Sequence, residues 1–405
     1  MKALGPIPSG FEADAQGRLL IGGWDAEVLV GEAGGTPLFI YDTRRIADQV
    51  SRFRAAFPGV ALHYAVKANP YGPLIESMAA MVDGFDVASA GELGRVAHLG
   101  LPISFAGPGK REQELETAIR AGITINLESE GEAERTLAIC AREGLTAKLA
   151  VRVNPPFGLK GSGQKMGGLP SQFGVDHDRA PALVRRIVES GADWQGLHIF
   201  AGSQALQADA LIDLQRDTVA LAASICDETG NAPPHINLGG GFGIPYFAKD
   251  EPLDVEAVGE ALAMTLADRP KILADTQFAI ELGRWLVGEA GVYLARIVDR
   301  KQSRGKTFLV TDGGLHHQLA ASGNFGQLLR RNYPVAIASR LGADPEEEVT
   351  ITGCLCTPLD MLADEVMLPH AEVGDLVAIF CAGAYGLTAS PSAFLSQPMA
   401  REMVV

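Results

Sequence analysis

Residues 61–72 read "ALHYAVKANPYG". The run opens with alternating and branched residues of strand character and stops at Asn69-Pro70, where proline removes a backbone donor and pushes its predecessor out of helical geometry. A lysine, Lys67, stands at the last turn before the chain leaves the sheet. Such a lysine is unremarkable if its stem only covers apolar surface while the ammonium reaches water. It is chemically pointed if the strand end belongs to a reaction site, so the fold has to be read first.

Seven more runs of the same kind follow: "FDVAS" (85–89), "ISFAG" (103–107), "TINLES" (124–129), "LAVRVN" (149–154), "GLHIFAG" (196–202), "HINLGGG" (235–241) and "FAIELG" (278–283). Between them lie segments of helical period such as "GPLIESMAAMV" (72–82), "AGELGRVAHLG" (90–100) and "ALVRRIVESG" (182–191), several closing on the glycine that ends helices. Eight β–α alternations predict an α/β TIM barrel, whose chemistry sits at the C-terminal ends of the strands. A doubly wound sheet is the alternative that periodicity leaves open. After residue 284 the runs "GVYLARIVDRKQ", "KTFLVTDGG", "EEVTITGCLC" and "LVAIFCAGAYG" lack long intervening helices, which predicts a C-terminal antiparallel β domain. The expected division is a barrel over 30–284, with 1–29 and 285–405 forming the β domain. "RLLIGG" (18–23) and "TPLFIYD" (36–42) are candidates to join the latter. The glycine-rich, aperiodic stretch 154–176 is read as a long functional loop or lid after the fifth strand.

Composition narrows the partners. The chain of 405 residues carries 34 basic and 49 acidic side chains, a net charge of −15, which argues against nucleic acid or an anionic membrane as the main partner. Five cysteines without paired Cys-x-x-Cys motifs point to a reduced, cytoplasmic setting. The opening "MKALGPIPSGFEADAQG" has no apolar segment of the signal-peptide kind, and no stretch is long and apolar enough for a spanning helix.

On a barrel, the polar residues at the strand ends form one surface. Lys67 ends the first strand, Asp86 lies on the second and Asn154 ends the fifth. His198, Phe200 and Ser203 lie on or just past the sixth, "NLGGGFG" closes the seventh, and Glu281 with Arg284 closes the eighth. Gly239, Gly240, Gly241 and Gly243 let backbone N–H groups approach a phosphate without Cβ interference. Ser203 and Arg284 can donate to the same anion. A carboxylate such as Glu281 in the same mouth as an amine-reactive lysine suits a cofactor with a basic ring nitrogen. Pyridoxal 5'-phosphate needs this set: a Schiff-base lysine, a phosphate cradle and an acid opposite the pyridine nitrogen.

Together "YAVKAN", "FDVASAGEL", "GSQ", "GGGFG", "ELGRWLV", "GCLCTPLD" and "GAYG" resemble the signature set of the pyridoxal-phosphate-dependent decarboxylases with an alanine-racemase-like barrel (fold type III), which include diaminopimelate, ornithine and arginine decarboxylases. The resemblance runs from about residue 30 to 400. It implies that Lys67 carries the cofactor as a Schiff base, that Gly239 to Gly243, Ser203, Arg284 and Tyr385 bind its phosphate, and that Glu281 pairs with its ring nitrogen. It further implies that Cys356 handles protonation after decarboxylation, that Asp360 contacts the substrate amine, and that the "GCLCTPLD" segment serves the neighbouring subunit's site in a head-to-tail homodimer. Glu281 favours decarboxylation over the alternative of racemisation, since racemases of this fold place an arginine there.

Departures from the family pattern bear on the substrate. Where ornithine and diaminopimelate decarboxylases stack a histidine on the cofactor, this chain has Phe200, and His198 is the other candidate. Ala320 stands near the place of the arginine that holds a distal carboxylate in diaminopimelate decarboxylases, and Thr357 replaces a glutamate after the cysteine. "CTPLD", "GLHIFAGSQ" and "KGSGQKMGGLPSQFGVD" are most similar to decarboxylases associated with exosortase A systems, and to carrier-protein-dependent amino-acyl decarboxylases. The expectation is therefore a substrate with a neutral or masked distal group, for example one tethered to a carrier protein that Arg330 and Arg331 help to dock. Diaminopimelate decarboxylation is the alternative.

Overall fold

The structure, a computed structural model, describes residues 2–159, 164–165, 167–327 and 329–405. The chain forms two compact units, one of residues 50–243 and 252–283 and the other of residues 1–49, 244–251 and 284–405. The first carries eight parallel strands: β1 (Ala61–Ala65), β2 (Gly84–Val87), β3 (Ile103–Phe105), β4 (Thr124–Leu127), β5 (Lys148–Asn154), β6 (Asp193–Ile199), β7 (His235–Asn237) and β8 (Gln277–Leu282). Each pairs with its successor, and β8 returns to β1 with Leu282 opposite Tyr64. A doubly wound sheet would leave two edges. This one leaves none, and the TIM barrel is the fold.

Local chemistry fixes where the strands stop and the helices start. After β2, the Ser89 hydroxyl accepts from the Glu92 N–H while Glu92 accepts from Ala88 N–H. After β4 the same exchange recurs between Ser129, Glu132 and Glu128. These reciprocal caps satisfy helix N–H groups that have no partner within the helix. The first barrel strand buries Leu62 and Tyr64 completely, whereas Ala61 and His63 line the barrel interior.

The second unit is built on a sheet centred on Gly291–Ser303, which pairs with Lys306–Thr311, Leu376–Ile379 and Leu38–Tyr41. Its core brings Leu19, Ile21 and Leu29 against Leu38, Ile40, Val292, Leu294 and Phe380. The sheet is mixed rather than antiparallel as expected. Lys306–Thr311 runs parallel to Glu347–Thr352, and Arg401–Val404 runs parallel to Leu38–Tyr41. The first pairing is possible because residues 312–346 intervene, ample length for the crossover that parallel neighbours require. The second brings Arg401–Val404 beside Leu38–Tyr41, which places "TPLFIYD" with this unit. Among the described residues no helix is long and apolar enough to cross a membrane.

Candidate active site

Lys67 lies in a short 3-10 turn, Val66–Ala68, at the C-terminal end of β1, with its side chain exposed. The turn is held by Tyr64, whose phenol donates to the Asn69 carbonyl at 2.9 Å. The Lys67 ammonium sits 5.4 Å from the centre of the Phe200 ring. A second lysine of the barrel unit, Lys110, provides the contrast. It is 4% exposed and donates to the carbonyls of Gly107 and Asn126 and to the Glu132 carboxylate, each at 2.8 Å. An ammonium has three protons to give, and Lys110 has given all three. That leaves it fixed and charged, without the freedom that covalent chemistry needs.

Glu281, on β8, is 6% exposed and takes the His198 Nε2 proton at 2.9 Å and the Asn237 amide at 3.4 Å, both on Oε2. Burial alone would raise its carboxyl. The attraction and hydrogen bond of His198, followed by Lys67 and Arg152, outweigh burial and bring it down to about 2. The mouth therefore holds a fixed carboxylate at neutral pH. His198 is 1% exposed and committed to Glu281, so it offers no ring face to a ligand. Phe200 is only half-buried and packs over Gly239, where a Cβ would come within 2.9 Å of its ring. Of the two stacking candidates, Phe200 has the free face.

The glycine loop is required by its surroundings. Gly239 and Gly241 have φ of 69° and 89°, and a Cβ on Gly240 would stand 2.0 Å from the Glu281 carbonyl oxygen. The loop is zipped to the segment after β6, since Ala205 N–H donates to Gly241 O at 2.9 Å and Gly243 N–H to Ala205 O at 2.8 Å. Ser203 and the glycines thus belong to one cradle. Asn237 braces it, accepting the Gly239 N–H at 2.8 Å with its Oδ1 while its amide reaches Glu281.

In the second unit, Arg284 lies between two tyrosine rings, 5.6 Å from Tyr246 and 4.7 Å from Tyr385, and donates to the Tyr246 hydroxyl at 2.9 Å. Its Nε is buried without a hydrogen-bond partner. Tyr385 itself is held at φ 53°, a left-handed conformation costly for a non-glycine residue and common at ligand sites. A glycine cradle, an ionised carboxylate and an exposed lysine, all in the barrel unit, belong to the donor set that pyridoxal phosphate requires. The residues fit the cofactor.

Other expected residues fare differently. Asp86, on β2, is 7% exposed with neither oxygen hydrogen-bonded, and His63 Nδ1 lies 3.3 Å away. Asn154 anchors the loop after β5 through Asp176 (2.9 Å) and the Leu169 carbonyl (3.2 Å). Within that loop, Gln164–Lys165 pairs with Gly202–Ser203, while residues 160–163 and 166 of the expected lid lie outside the described residues. Cys356 is exposed on its turn. Asp360 is 3% exposed, and its two oxygens accept the N–H groups of Leu315 and Leu355 at 2.7 Å each. The carboxylate organises two loops, and each oxygen keeps a second lone pair. Arg330 donates to the Met361 carbonyl, and Arg331 stacks 3.6 Å from the Phe247 ring centre.

Besides Asn237, three participants escaped the sequence reading. Arg152 donates to Glu128 at 2.8 Å in a buried pair, and Glu128 also receives the Gly174 N–H at 3.2 Å. Glu92, near Lys67, has its carboxyl raised by burial against the pull of the Ala88 N–H and Lys67.

Residues 43–288 match the family profile of the pyridoxal-dependent decarboxylase, pyridoxal binding domain. The chain belongs to the pyridoxal-dependent decarboxylases. It is 36% identical over 379 residues, 91% of this chain and 88% of the relative, to the L-glutamyl-[BtrI acyl-carrier protein] decarboxylase of Niallia circulans. It is 32% identical over 410 residues, 98% of this chain and 92% of the relative, to the diaminopimelate decarboxylase of Methanothermobacter thermautotrophicus. Among solved structures, a diaminopimelate decarboxylase from M. jannaschii superposes with a TM-score of 0.86 at 26% identity, covering 97% of this chain and 92% of that one. The barrel, the mixed sheet and the cofactor of this family are those of the enzyme.

Proposed function

We propose that the enzyme removes the α-carboxyl group of an amino-acyl unit whose distal end is masked, in its most specific form by attachment to a carrier protein. The observation that carries this reading is the neutrality of the segment Leu315–Ser322. It contains no lysine or arginine, and Ala320 is buried at 7% exposure. Burial, then repulsion from His317, holds His316 down to about 4, and burial also lowers His317. Neither imidazole is charged at neutral pH. By the family resemblance this segment meets the substrate's distal end, where a free carboxylate would go unpaired, at a cost of several kcal/mol. The carrier-protein substrate named for the Niallia circulans relative supports the same reading.

When bound, pyridoxal phosphate supplies an electron sink for the pair left as carbon dioxide departs. The chain's residues do the rest. Lys67 is the amine that holds the cofactor. Glu281, ionised by its setting, is the group that keeps a proton on the ring nitrogen, with His198 and Asn237 fixing its Oε2. Phe200 gives the ring a flat apolar face. Gly240, Gly241 and Ser203 offer donors to the phosphate, Gly239 and Gly243, whose own N–H groups go to Asn237 and Ala205, shape the loop around it, and the motif match adds Arg284 and Tyr385. Asp86 is retained as a cofactor-side carboxylate. Cys356, exposed beside Leu359 at 57% exposure, is the proton-handling residue lent to a second copy in a homodimer. The free cysteines support a cytoplasmic setting. The exosortase-associated branch rests on its motif strings.

Intact-mass spectrometry of a carrier protein loaded with L-glutamate through its side-chain carboxyl tests the reading. The loaded carrier should lose one carbon dioxide, with kcat/KM at least about 100-fold above that for meso-diaminopimelate. Faster turnover of free meso-diaminopimelate would overturn it.

A further inference from the structure

TIM barrels normally fill their interior with layers of large side chains. Here the N-terminal end of the barrel, remote from Lys67, is lined by Ala61, Ala150, Ala279 and Ser104, and a cavity of about 840 Å³ opens there. That volume lies within the range of small-molecule sites. Its polar lining includes His63, Ser104, Asn126 and Asn237, with the exposed Lys148 and His235 also bordering it. The one carboxylate of the lining, Asp83, is taken by Arg54 and by the Leu62 N–H at 2.7 Å. Beside it, the lining's charge-bearing groups are the Lys148 ammonium and the His63 imidazole.

Two wall residues also touch the layer beneath the cofactor mouth. His63 faces Asp86 at 3.3 Å, and Asn237 reaches Glu281. The charged groups that act on His63 are Asp86, Glu281, Asp83 and His235. Burial works against its protonation, and Asp86 together with Glu281 and Asp83 outweighs it, so its pKa lies above the ordinary value. His235 is shifted the other way, by burial and then by His63, against the pull of Asp193, and is a neutral imidazole at neutral pH. An ammonium at the border and two imidazoles with N–H groups to give, around an open space, form a receptor for negative charge.

We propose that this cavity binds a small oxyanion, a free carboxylate or phosphate metabolite, between His63, His235 and Lys148, as an effector site separate from the substrate site. An anion there holds His63 protonated, tightens its pairing with Asp86 and changes the field at Asn237 and Glu281. By linkage, occupancy of the cavity and the ionisation of His63 affect each other equally. The site stands whatever the substrate proves to be.

The test is a titration of the holoenzyme carrying 13C-labelled histidine, with His63 and His235 assigned through His63→Gln and His235→Gln. Sodium phosphate and sodium glutarate are added at constant ionic strength, with chloride as the control. One of the two anions should move both imidazole signals saturably and raise the His63 pKa, and which one does so identifies the source. Lys148→Ala, at an exposed position, should weaken that anion at least about fivefold while leaving the visible cofactor band intact. Signals that move no more than with chloride, or a response unchanged in Lys148→Ala, would overturn the proposal.

Discussion

Replacing Glu281 with glutamine keeps the shape of the side chain and removes its charge. The amide oxygen can still accept from His198 and Asn237, which now hold Oε2 at 2.9 Å and 3.4 Å. Folding should survive, at a cost of about 1–3 kcal/mol for weakening charge-assisted bonds. The catalytic cost is larger. A carboxylate paired with a protonated ring nitrogen, at an effective dielectric of about 20, would contribute about 4 kcal/mol, which is about three orders of magnitude in rate. Single-turnover carbon dioxide release, read beside cofactor absorbance, separates the two: the cofactor stays bound while kcat falls. The pH dependence follows from the same carboxyl. Its folded value, about 2, lies below the ordinary 4.5, so its stabilising contribution is complete above 4.5 and is lost only as pH falls toward 2. The stability difference between wild type and Glu281→Gln should accordingly stay constant from about pH 8 to about pH 5 and shrink below that. A kcat within about tenfold of wild type at full cofactor occupancy would refute the assignment of Glu281 to the ring nitrogen.

Other outcomes follow from the same geometry. Lys67→Ala should lose the visible band of the bound cofactor and all turnover, because Lys110 has no free proton to exchange; absorbance spectra check this. Asp360→Ala leaves the Leu315 and Leu355 N–H groups buried without acceptors, so chemical denaturation should show a loss of about 2–6 kcal/mol. Asp360→Asn, which keeps one acceptor, should recover part of it. Mixing Lys67→Ala with Cys356→Ala subunits should restore about a quarter of wild-type activity if Cys356 serves the partner's site, since half of random dimers are mixed and each has one intact site of two. No recovery after proven subunit exchange would place both residues in one site of one chain.

The barrel was legible because parallel strands buried on both faces read as short apolar runs, and each of the eight runs falls within a few residues of an observed strand. The second unit was less so. Strand character is local, but whether Lys306–Thr311 meets its partner parallel or antiparallel depends on how residues 312–346 return. Nothing within "TPLFIYD" announces a pairing with residues at the far end of the chain. Lys67, Glu281 and the glycine loop were visible because chemistry at strand ends is punctuated by residue type. Arg152 and Asn237 were missed although a signal existed. Each lies on a short strand whose neighbours are apolar, and a charge or amide on the inward face of a closed barrel needs a partner there. The bracing role of Asp360 was not legible because a sequence shows a carboxylate but not the donors it accepts from. One of these, Leu315, is 45 residues away along the chain.

The most direct measurement is to reduce the holoenzyme with borohydride and map the cofactor-bearing peptide by mass spectrometry. Stoichiometric label is expected on the peptide that contains Lys67, and none on the peptide that contains Lys110. Label on any other lysine, with Lys67 unmodified, would contradict it.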